Sequence, residues 1–153
     1  MSDFFKYAKS VISEYPELNH SWEIEGETYK LDFPVSLEEG FGVHVAFDDH
    51  AGMIFTDIAL HFDFNFETGF LWEMGSYSTI KPVPESLMKF VLDLLSPKIR
   101  VREYIAGKSG YKWDLECLEE GNWQRLHTMS LIFWNYFGKR SQKIYQNSIL
   151  PNR

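Results

Sequence analysis

The sequence predicts an α+β fold: a curved antiparallel sheet of about six strands with two helices packed on one face. Three observations carry this. Two segments repeat apolar residues at helical spacing and are bounded by prolines. Several others alternate apolar and polar residues with a period of two. The alternating segments follow one another through turns of a few residues, a connection that suits antiparallel neighbours and is too short for a parallel crossover.

The first helix is expected over 3–15, where Phe4, Phe5, Ala8, Val11, Ile12 and Tyr15 form one stripe. Ser2 or Asp3 can cap its start, and Pro16 follows its end. Residues 21–33 read as a hairpin turning at Gly26-Glu27, with Trp22 and Ile24 alternating against Glu23 and Glu25. Val43, Val45 and Phe47 open the next strand. Ile54, Thr56, Ile58, Leu60, Phe62, Phe64 and Phe66 then share one parity, which predicts a single long strand with one buried face. With 49–52 as the intervening loop, His44 would pair with Asp57 on the polar face. Residues 68–83 hold a short strand and a loop. The second helix is expected over 85–95, after Pro84 and before Pro97. Residues 98–106 and 111–117 form a further hairpin through GKSG. Residues 123–137 fit both periods; strand is preferred because a hairpin turn leads into them. The tail from 138 is polar and basic and is expected to wrap the surface.

The chain has 153 residues, one domain's worth, so 1–153 is read as a single domain. Aromatic residues make up 17% of it, enough for a dense core. The single cysteine excludes an intramolecular disulfide and a Cys-rich zinc site. The N-terminus lacks a signal-peptide pattern, and no apolar run approaches the ~20 residues that cross a bilayer. The expectation is a soluble cytoplasmic protein without a membrane partner. The formal charge is −7, and it is unevenly spread. Up to Gly75 there are three lysines against fifteen carboxylates; beyond it, twelve cations face seven carboxylates. An acidic chain is a poor sequence-independent ligand for nucleic acid. It suits a basic protein partner, whose approach it would accelerate.

The motifs that bear on chemistry are few. His44, Asp48, Asp49, His50, His61 and Asp63 combine imidazole and carboxylate, the ligands of zinc and non-haem iron, but their spacing matches no metal signature. No metal or cofactor is therefore assigned. Cys117 shares the apolar parity of Trp113 and Leu115 and is expected to be a buried, inert thiol. GKS at 107–109 lacks the earlier glycine of a phosphate loop, since Arg102 stands there, and reads as a turn. Trp113, Trp123, Phe133, Trp134, Tyr136 and Phe137 read as core beside a basic tail. The Asp-Asp-His of 48–50 reads first as a turn.

The strand run YKWDLECLEEGNW (111–123) and the closing stretch FWNYFGKRSQKIYQNSILP (133–151), in a compact acidic α+β chain, resemble the small acidic immunity proteins of bacterial polymorphic-toxin systems. The resemblance covers the C-terminal third. It implies a non-enzymatic, cytoplasmic protein that binds one cognate toxin and blocks its active site. It carries no site residue with it. From the residues themselves, Glu38, Glu39, Asp48 and Asp49 are the expected partner contacts, because they lie in Gly-flanked loops at strand ends. Two alternatives stand beside this: a small enzyme or metal-dependent hydrolase using the His/Asp face, and a small-molecule binding domain using an aromatic concavity.

Overall fold

The structure, a computed structural model, describes residues 2–66, 69–70, 84–131 and 138–151. The α+β class holds, but the strands divide between two antiparallel sheets of five and four full strands, neither closed nor curled. This corrects the single curved sheet of about six strands.

The first sheet is a meander: β1 (Ser21–Glu25), β2 (Thr28–Phe33), β3 (Val43–Phe47), β4 (Ala51–Thr56) and β5 (His61–Asn65), each paired with the next. A two-residue strand, β6 (Gly69–Phe70), extends it beside β5. The second sheet runs β10-β7-β8-β9, from β7 (Ile99–Ala106), β8 (Ser109–Glu119), β9 (Asn122–Ser130) and β10 (Arg140–Gln146). Helix α1 (Asp3–Ser13) precedes the first sheet and α2 (Pro84–Leu94) separates the two. The expected loop and strand over 71–83, and the aromatic residues Phe133, Trp134, Tyr136 and Phe137, lie outside the described residues.

Both helices pack on the inner face of the first sheet. Ser2 caps α1 by accepting the Phe5 N–H through its side chain. From α1, Phe5 stacks on Tyr29 and Phe4 leans on Phe47, with ring centroids 4.3 Å apart in each case. From α2, Phe90 meets Phe62 edge to face at 5.1 Å. The second sheet closes the other side of α2, and Val101, Leu115 and Cys117 join the same core as Leu31, Val45 and Phe62.

One expected strand is in fact a hairpin. Residues 57–60 turn the chain, with Ala59 in the left-handed region at φ 67°. The apolar parity survives because the turn places Ile54 opposite Phe62 and Gly52 opposite Phe64, so both arms bury the same residues. Leu60, Phe62 and Phe64 are core, as their parity required. The C-terminal segment is also corrected. It forms β10 and then enters the core, where Leu150 is buried and Asn147 is fully enclosed.

Candidate functional site

The inner face of the first sheet is used up by packing, so its outer face is the surface available for work. Register sets it out in rows. Asp32, His44, Phe55 and His61 lie side by side across β2 to β5, and Lys30, Ala46, Met53 and Asp63 form the next row. Antiparallel sheets with one solvated face carry polar residues there. Here the interior strand β4 instead presents Met53 and Phe55, 40% and 39% exposed.

Carboxylates lie on the same face at increasing distance from this apolar pair. Asp63 is the register partner of Met53, and among the described residues no cation pairs with it. Glu23 and Glu25 of β1 flank Lys30, which pairs with both and is neutralised by them. Asp32 and Asp57 hold His44 between them. His44 Nδ1 lies 2.8 Å from Asp32 Oδ1, and Nε2 lies 2.8 Å from Asp57 Oδ1. The His44–Asp57 contact expected from the sequence exists, through another register: His44 faces Phe55 across the ladder, and Asp57 reaches back from the turn after β4. Gly42 makes this reach feasible. Its N–H donates to Asp57 Oδ2 at 2.9 Å, and a Cβ at Gly42 would collide with that oxygen.

Two ionised carboxylates can each receive a hydrogen bond from one imidazole only if both ring nitrogens carry protons. Burial pulls the His44 imidazole down. The hydrogen bonds to Asp57 and Asp32 and their charges outweigh it, and the net shift is upward. The geometry and the upward shift both favour the doubly protonated ring, the form that has no lone pair to ligate a metal or accept a proton. His44 and His61 do not face each other; Phe55 stands between them, which places them two strands, about 10 Å, apart. Among the described residues no group of three or more His, Cys, Asp or Glu side chains is gathered to hold a metal ion.

The four expected partner contacts do not form one patch. Glu38 and Glu39 precede β3, and Asp48 and Asp49 follow it, so its five residues hold the pairs roughly 17 Å apart. Asp48 is committed to its turn. Its Oδ1 accepts the N–H groups of His50 (2.7 Å) and Ala51 (2.8 Å), and the hydrogen bond from His50, aided by that from Ala51, holds its carboxyl below the usual range. Asp49, Glu38 and Glu39 are exposed. Met53, Phe55 and Asp32 were missed by reasoning from charged loops. The available signal was the run Met53-Ile54-Phe55, apolar on both parities of a strand that otherwise alternates.

Elsewhere, Cys117 is buried, and burial pushes its thiol up. Gly107-Lys108 forms the turn between β7 and β8 that the sequence predicts. Trp123 lies under the Arg100 guanidinium, 3.9 Å from the ring centroid. Comparison of the chain with protein-family models, with curated proteins and with solved structures finds no match.

Proposed function

We propose that this chain is a non-catalytic protein-binding domain whose partner is basic. It would act in the manner of the immunity proteins that its C-terminal third resembles, by covering a toxin's active surface. The observation that carries the reading is the Met53–Phe55 patch on an open sheet face, bordered by Asp63, Asp32 and Asp57. An apolar centre with a charged rim is the anatomy of a protein interface. The charge imbalance of the sequence supports the sign of the partner. The acidic first half of the chain carries α1 and the first sheet, whose outer face bears the patch, and the basic second half carries α2 and the second sheet. Such a field acts chiefly on the rate of encounter. The hydrolase alternative is the weaker reading, because His44, which is enclosed by two carboxylates, has both ring nitrogens engaged by them.

The test is binding of the purified chain, at low and high salt, to the basic protein encoded beside it in its host genome. The association rate should fall with salt, and Met53→Ser with Asp63→Lys should abolish binding while leaving the circular dichroism unchanged. A salt-independent association rate, or unimpaired binding by the double variant, would overturn the reading. Turnover of a substrate that disappears in His44→Gln would replace it with an enzyme.

A further inference from the structure

We propose that the groove between the two helices is a second binding site, which seats an amphipathic, Lys- or Arg-bearing segment of another protein. The helices lie on the inner face of the first sheet, so this groove and the Met53–Phe55 patch are on opposite sides of that sheet. The inference thus stands apart from the proposed function. The groove is open to solvent and encloses about 430 Å³, within the ~300–1,000 Å³ of ordinary ligand clefts.

Its walls are apolar. Tyr7 and Val11 come from α1, Met88 and Leu92 from α2, and three of the four are only partly buried against the core. Its rims carry three carboxylates and one cation, Lys89, so their net charge is negative. Glu14, at the end of α1, and Glu85, in the first turn of α2, both line the groove. Among the described residues no cation pairs with either. Their charges converge on the Tyr7 phenol: burial pushes its pKa up first, and the Glu85 and Glu14 carboxylates push it further. The third acid of the lining, Asp93, is in a different state. It already pairs with Lys89 at 2.9 Å and Lys98 at 3.4 Å.

An anionic or wholly apolar occupant would leave the two carboxylates uncompensated. A lysine or arginine satisfies both features at once, because its aliphatic stem covers apolar surface while its head stays at the polar rim. A groove lying along two helices and open on one side suits a segment laid lengthwise, with apolar and basic residues on the same face.

The experiment is an NMR titration of the full chain with a synthetic Leu/Lys amphipathic helical peptide. The same peptide with Glu for each Lys serves as the control. The Lys peptide should shift the side-chain signals of Val11, Met88 and Leu92. Glu14→Gln with Glu85→Gln should weaken it about fivefold, the loss of two ion pairs on exposed carboxylates. Asp63→Lys should leave it unchanged. Equal binding of the Glu peptide, or an undiminished affinity of the Gln double variant, would overturn the proposal. Shifts confined to Met53 and Phe55 would also overturn it, and would leave the sheet-face reading intact.

Discussion

Replacing Asn147 with alanine should unfasten the seam between the two halves of the chain. The side chain is fully enclosed. Its Oδ1 accepts the Phe41 N–H at 3.1 Å, and its Nδ2 donates to the carbonyls of Phe41 (3.0 Å) and Leu94 (3.1 Å). Phe41 belongs to the loop before β3 and Leu94 ends α2, so one amide joins the acidic loop, the helix and the C-terminal segment. Alanine leaves three main-chain groups without that partner, in a place water does not reach. Each unpaired buried group costs about 1–3 kcal/mol, and as two belong to one residue their sum is discounted to about 4 kcal/mol. For a chain of this size that lowers the melting temperature by roughly 10 °C and the urea midpoint by about 1.5–2 M. Asn147→Asp is the sharper control. Its carboxylate still accepts from Phe41 but faces two carbonyl oxygens with no proton to give, so at neutral pH it should be no more stable than alanine. Burial among carbonyls raises the folded-state pKa of that carboxyl, so the aspartate variant should recover relative to alanine as pH falls. Urea titrations of the three proteins at neutral and mildly acidic pH measure all of this. An alanine midpoint within about 0.3 M of wild type would refute the argument that these groups are stranded.

The remaining predictions concern the sheet, the core and the thiol. The folded-state pKa of His44 lies above its unfolded value, so its contribution to stability is fully present below the unfolded pKa near 6.5 and is lost as pH rises through the folded one. His44→Gln should flatten that slope in urea midpoints measured across the window, and an unchanged slope would show that the imidazole is not held as a cation. Phe62→Ala removes a fully buried ring that packs on Phe90 and should cost about 3–5 kcal/mol in chemical denaturation. Cys117 should resist iodoacetamide in the native protein and react on unfolding, because its thiol is buried with its pKa pushed up.

Features that depend only on neighbours along the chain are legible in these residues alone. The α1 stripe, the capping Ser2, the Gly26-Glu27 turn (Gly26 at φ 64°) and the bounds of α2 between prolines are local preferences, and the fold keeps them. Side-chain parity is local too, which is why Phe62 and Phe64 were legible as core although the strand that holds them was drawn too long. The turn at 57–60 was not legible. It has no glycine or proline, and Ala59 adopts its left-handed conformation only because the two arms it joins gain a shared buried face. The parting of the strands into two sheets is a long-range outcome, since pairing partners are chosen by which apolar faces the helices can cover, and α2 covers both. Long-range packing also sets the fate of Asn147, which looked like one more polar residue of a basic tail and is held inside by two carbonyls and an N–H from distant segments. The candidate site divides in the same way. Strand alternation brought His44 and Asp57 together through a 44-to-57 register that does not form; the contact exists because Asp57 reaches back from the turn after β4, and the second carboxylate, Asp32, comes from a strand earlier in the meander. The exposure of Met53 and Phe55 depends on which face of the sheet the helices occupy, and no local pattern states that.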